Sequence, residues 1–221
     1  MTLGRPGAYA YDIKQTKWMR ERMLEMTFLK VIRFLAVCGI IGGFFRALMT
    51  PLALVWGMNS VPELVSGILG TMCMGMGMFG LYFVHIKEMG KLGFTAFLFH
   101  SVASFILMAM VFSTLVFAVH DPSILEANMP PLPIMIGGAL MMPFLMLGMI
   151  LFAITVLRTK VLSIVPAILL LASPVLNFLP VVSDYSPIIW GLAFMLFGIE
   201  VWKKTAKGKA LTNLDVDGLP A

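Results

Sequence analysis

Apolar residues fall into six long blocks, 34–56, 64–84, 92–119, 134–157, 161–182 and 187–202, separated by short polar turns. Each block is close to the ~20 residues that a helix rising 1.5 Å per residue needs to cross ~30 Å of hydrocarbon. The last is the shortest and runs directly into Lys203 and Lys204. Alternation of apolar and polar positions, the mark of a barrel strand, is absent, and runs of this length satisfy their backbone in lipid only as helices. The pattern predicts an all-α membrane protein with six transmembrane helices in one bundle.

The charged positions orient that bundle. Arg5, Lys14, Lys17, Arg20, Arg22, Lys30 and Arg33 precede the first block, Lys87 and Lys91 follow the second, Arg158 and Lys160 follow the fourth, and Lys203, Lys204, Lys207 and Lys209 follow the sixth. Fifteen of the sixteen basic residues thus fall on one side, and the sixteenth, Arg46, lies inside a block. The three turns on the other side carry only the acidic Glu63, Asp121, Glu126 and Asp184. Positive charge stays cytoplasmic, so both termini are expected inside, which requires an even number of crossings.

Three regions follow: a cytoplasmic basic segment over 1–30, the six-helix domain over 31–203, and a tail over 204–221. Within the first, Met19, Met23 and Met26 recur at helical spacing among basic residues, which predicts an interfacial amphipathic helix over 8–29, either a plain anchor or a partner-binding or lipid-sensing element. The tail is polar and aperiodic and is expected to be disordered. About thirty polar and charged residues precede the first apolar block, so no cleavable signal peptide is expected.

Composition agrees with lipid as the solvent. The 221 residues are 60% hydrophobic and only 12% charged, with mean hydropathy +0.96, far from the balance of a soluble domain. The net charge of +5 does not indicate nucleic-acid binding, because the basic residues are scattered between apolar blocks and form no single face. Attraction to anionic lipid heads accounts for it. Cys38 and Cys73 both lie in apolar blocks without a CxxC or Cys/His pattern, and read as small buried hydrophobes.

Polar side chains inside lipid are costly and become candidates for function. Arg46, near the middle of the first block, needs a partner, and Glu63, Asn177 and Asp184 are the nearest prospects; together they would form an anion or carboxylate site opening outward, or an ion pair that fixes packing. His100 could relay protons, but no second His stands at i+3 or i+4, so a packing role is the plainer reading. Met72, Cys73 and Met76 offer a weak soft-metal alternative, with Met74, Met78 and the methionines of the fourth block nearby, since thioethers and thiolates suit Cu(I); Met72 and Met74 point to different faces, so the sulfurs cannot all share one site. Otherwise no metal and no cofactor is expected.

Gly39 and Gly43 make a GxxxG, Ser66 and Gly70 a related pair, and Gly75, Gly77 and Gly80 follow, a composition for close helix packing or oligomerisation. Pro166, Pro174 and Pro180 with Asn177 predict a kinked fifth helix. Residues 76–91 resemble 147–160, and 79–91 resemble 197–209, as duplicated hairpins would, or as any inward-running helix ends would.

No HExxH, GxSxG, P-loop or dinucleotide motif is present, so an enzyme is not expected. The expected role is a non-catalytic membrane component, an accessory subunit or scaffold, with membrane lipids and a second copy or another membrane protein as partners. The alternatives are a small transporter of a solute or of Cu(I), suggested by Arg46 and the fifth block, and a lipid-modifying enzyme, suggested by His120, Asp121 and Glu126 in one loop.

Overall fold

A computed structural model of the chain describes residues 6–126, 131–177, 179 and 182–206, with side chains from residue 23 onward except those of Glu25 and Glu126. The described regular structure is entirely helical: α1 (Pro6–Trp56), α2 (Val61–Val84), α3 (Ile86–His120), the single turn α4 (Ser123–Glu126), α5 (Leu132–Thr159), α6 (Ile164–Leu176), a 3₁₀ turn (Ser183–Tyr185) and α7 (Ser186–Ala206). Five of these are long and apolar enough to cross a membrane, within Met26–Trp56, Val61–Val84, Ile86–His120, Leu132–Thr159 and Ser183–Ala206.

Helix α6 differs from its expected span. Only Ile164–Leu176 is helical, about 20 Å at 1.5 Å per residue. Pro174 sits in its last turn and Asn177 caps it; a proline withholds one backbone donor and frees a carbonyl, so the helix stops early. The chain continues in turns, with the Leu179 N–H bonded to the Leu176 carbonyl at 3.1 Å and the Val182 N–H to the Leu179 carbonyl at 2.9 Å.

The first and last helices run past the ends of the apolar blocks. Helix α1 runs for 51 residues from Pro6, so the segment expected as an interfacial helix and the first span belong to one helix. At the other end α7 extends to Ala206, and Thr205, expected in the tail, is fully buried. The rest of the tail, 207–221, lies outside the described residues.

The turns have local causes. Gly57 at φ +88° and Asn59 at φ +61° end α1, and Gly90 at φ +54° breaks α3 near its start, a conformation that costs glycine no Cβ clash.

Neighbour relations make a ring in the order α1, α2, α3, α5, α6, α7, closed by α7 against α1, with α2 also touching α7 across the middle. The seams around α1 are backbone to backbone. A Cβ on Gly77 would lie 2.4 Å from the Gly39 Cα, and one on Gly43 would lie 2.4 Å from the Gly191 carbonyl oxygen. The Gly39/Gly43 motif is thus spent within the chain, Gly39 on α2 and Gly43 on α7. Gly70 sits against the Arg46 backbone, and Gly148 of α5 against that of His100 in α3. Small residues let helices approach where lipid removes the hydrophobic drive between them.

Side-chain bonds tie the helix ends into two levels. At one end Arg33 donates to the Thr205 carbonyl at 2.8 Å, Lys204 donates to the Val161 carbonyl, and both Glu200 oxygens accept the Ser163 N–H at 2.9 and 2.8 Å. Arginine on the last carbonyls of α7 and a carboxylate on the first N–H of α6 each complement a helix dipole. His85 is buried at this level, its Nδ1 3.3 Å from the Leu81 carbonyl; burial, with Lys204 as the next cause, lowers its pKa to about 4. At the opposite end Thr50 donates to the Asp184 carbonyl at 2.7 Å.

Candidate functional site

The two ionisable groups deepest in the bundle share one aromatic partner. Arg46 of α1 lies over the Trp190 ring of α7, its guanidinium carbon 4.4 Å from the centroid. Its Nη1 donates to the Met49 sulfur at 3.3 Å. The other side of this cluster is His100 of α3, edge to face with Trp190 at 6.2 Å and stacked on Phe194 at 5.4 Å. His100 is 1% exposed, and the close approach of Gly148 to its backbone leaves no room for a ligand on that side. Arg46 Nε, Trp190 Nε1 and His100 Nε2 have no hydrogen-bond partner among the described residues. A cation over a desolvated indole contributes on the order of 2 kcal/mol, comparable with the insertion cost of an arginine, ~2.5–3.5 kcal/mol. This arrangement holds a charge in place.

None of the expected partners forms an ion pair with Arg46 among the described residues. Glu63 accepts the Asn59 N–H at 2.7 Å, closing the turn into α2, although it is near enough to act on Arg46 through space. Asn177 is exposed at the end of α6. Asp184 is exposed and meets Thr50 through its backbone.

Two of the predicted residues do converge. Glu63 and Asp184 both line a cavity of about 190 Å³ at the end of α1, with Met49, Thr50, Met58 and Ser183. Met49 joins this cavity to Arg46. The cavity's lining includes these two acidic residues and no basic one.

The soft-metal residues divide. Met72 and Met76 line a second cavity, of about 300 Å³, between α2 and α3, whereas Cys73 packs against Gly42 of α1. Among the described residues no group of three His, Cys, Asp or Glu side chains could hold a metal ion. His120 and Asp121 are exposed, and the Asp121 carboxylate accepts the Ser123 hydroxyl in a local turn; the Glu126 side chain lies outside the described residues.

Sequence reasoning missed Trp190, which organises Arg46 and His100, and Thr71 and Ser101, whose buried hydroxyls have no partner among the described residues. The last block carries Trp190, Phe194 and Phe197 at helical spacing, a stripe that marks a packed face without naming what packs on it. Compared with known proteins, the chain matches no family model, no curated protein and no solved structure.

Proposed function

We propose that this chain is a six-pass protein of the cytoplasmic membrane, with both termini inside, that serves as a non-catalytic component, an accessory subunit or scaffold. The observation that carries the role is the use made of the buried polar groups: Arg46 is spent on Trp190 and Met49, and His100 is sealed between aromatic rings and the α5 backbone. Seams of glycine against backbone close the middle of the bundle, and catalysis or solute passage would need an opening there.

The six crossings are supported by the tied helix ends. Arg33 at the start of the first span meets Thr205 at the end of α7, so these lie at one level. The turns before α3 and α6 are drawn to that level by His85 and by Lys204. Glu200 fixes the start of α6 beside the end of α7, and Ser173 meets Ser186 at 3.3 Å where α6 gives way to α7. Helix α6 thus runs alongside α7 from Glu200 to Ser186, which supports reading it as part of a sixth crossing. Arg33, Lys160 and Lys204 stand at this level, a basic end that the positive-inside rule would assign to the cytoplasm.

Two experiments test the reading. In a chain lacking Cys38 and Cys73, a membrane-impermeant thiol reagent applied to intact cells should label Ser123→Cys and spare Thr159→Cys; labelling of both, or the reverse, contradicts the topology. Proteoliposomes holding the purified chain should be no leakier to protons and small ions than empty vesicles, and a flux abolished by Arg46→Ala would establish transport instead.

A further inference from the structure

Among the described residues, positive φ occurs at Gly57, Asn59, Gly90 and Lys160. The first two make the turn between α1 and α2. The other two, both at φ +54°, bracket the hairpin of α3 and α5. Gly90, with ψ −154°, breaks α3 near its start, in a backbone region open essentially to glycine alone. Lys160 is the left-handed cap of α5. Beyond each joint the chain is fastened to the other helices. Met89 is buried, and its N–H donates to the His85 carbonyl at 2.9 Å; Val161 and Ser163 are held by Lys204 and Glu200 of α7. Both joints stand at one end of the bundle, where Lys204 reaches Val161 and acts on His85 through space.

The glycine seams divide the molecule along the same line. Among the described residues, glycine meets the backbone of another helix where α1 joins α2, where α1 joins α7, and where Gly148 of α5 meets His100 of α3. None of these seams joins the hairpin to the other helices. A Cβ on Gly67 of α2 would meet α3 through the Val111 side chain, at 3.4 Å. Across this boundary lie side-chain contacts: Phe97 stacked on Tyr82 at 4.7 Å, His100 on Phe194 at 5.4 Å, and Phe152 edge-on to Phe197 at 5.7 Å. The cavity of about 300 Å³ between α2 and α3 lies on it too, where a close-packed interior leaves few voids larger than a water molecule. Past Leu107 in α3, and before Met141 in α5, no described residue of the hairpin is buried.

We propose that the hairpin of α3 and α5, residues 91–159, is a rigid arm that swings about Gly90 and Lys160 and opens its boundary with α2 and α7 at the end away from these joints. Hinges are a few element-terminal residues that absorb large changes in φ and ψ, and a hairpin joined to its neighbours at one end only is free to pivot there. The arm keeps its shape because Gly148 locks α5 onto α3. The unit of α1, α2 and α7 keeps its shape through the seams around α1. Opening therefore parts side chains alone. From Gly90 to Val119 the arm is about 44 Å long, so a swing of about 15° carries its tip by about 11 Å. The motion is independent of the role proposed above.

The test measures distances between pairs of spin labels by double electron–electron resonance, on the full chain without Cys38 and Cys73 in lipid nanodiscs. All the labelled positions are exposed. Val55→Cys with Val119→Cys spans the boundary at the free end, Val31→Cys with Phe94→Cys spans it beside the joints, and Phe94→Cys with Met135→Cys lies within the arm. The first pair should give two distances, about 10 Å apart for a swing of this size, and the other two pairs one distance each. Gly90→Ala strains the backbone of the closed arm and should raise the longer distance over the shorter by about tenfold. A single narrow distance between positions 55 and 119 overturns the proposal, whether or not the Gly90 variant folds. Two distances within the arm, or beside the joints, also overturn it, and so does a ratio that a folded Gly90→Ala chain leaves unchanged.

Discussion

Alanine at Gly77 and at Gly75 are the same chemical change two residues apart on α2, and the structure gives them opposite signs. At Gly77 the new methyl carbon would lie 2.4 Å from the Gly39 Cα and 2.8 Å from its nitrogen. Carbon atoms rest at about 3.5–4.0 Å, and both obstacles are backbone, so no side chain can swing aside. Helices α1 and α2 must part by roughly 1 Å at that level, and a gap of that size forfeits a quarter to a half of each neighbouring dispersion contact. Overpacking of this kind costs about 1–3 kcal/mol, and with no flexible atom to yield, Gly77→Ala belongs near the top of that range. Gly75 faces open space, so Gly75→Ala should gain up to about 1 kcal/mol from helix propensity. For a chain of this length that separates the two midpoints by roughly 6–15 °C. A thiol-reactive dye followed during heating in detergent reads the event directly, because Cys38 is 8% exposed and Cys73 lies against Gly42 in the same seam. Equal shifts for the two variants would refute the claim that this seam is held backbone to backbone.

Other consequences follow from the same contacts. Arg46→Lys keeps the charge but cannot lie flat on Trp190, and should lower stability by about 1–2 kcal/mol; Trp190→Leu should be coupled to it, with the double variant less destabilised than the sum of the singles, whereas simple additivity would deny the stack. His85 has a folded pKa of about 4 against 6.5 unfolded, so the unfolded chain takes up the proton first as pH falls. Stability should therefore drop between about pH 6.5 and pH 4, by on the order of 3 kcal/mol, and level off below; thermal melts of His85→Gln should lack that slope. Glu200→Gln weakens the carboxylate cap on Ser163 and should cost about 1 kcal/mol, visible as faster hydrogen exchange at the start of α6.

The helical class and most of the helix limits were legible in the sequence because lipid leaves the backbone few options. Leu64 through Val84 reads as a helix from its apolar run and length, and α2 spans Val61–Val84. Partners were not legible in the same way. Arg46 announced itself as a charge in lipid, but the polar groups expected to pair with it do not reach ion-pair distance; it settled on Trp190, 144 positions later, through a cation–π contact that leaves no pattern in sequence. The short α6 was foreshadowed by Pro174 and Asn177, yet nothing local says whether a proline bends a membrane helix or ends it. Gly39 and Gly43 announced close packing, but the same motif serves contacts within a chain and between chains, and only the fold shows Gly77 and Gly191 opposite them.

Native mass spectrometry of the chain, released gently from its own membrane with bound lipid, tests the proposed role most directly. A non-catalytic component predicts a fixed complex with a second membrane polypeptide or a second copy of the chain, one that survives Arg46→Leu and His100→Phe wherever those variants still fold. A chain that is always monomeric, and whose reconstituted form moves or converts a solute in an Arg46-dependent or His100-dependent way, would contradict it.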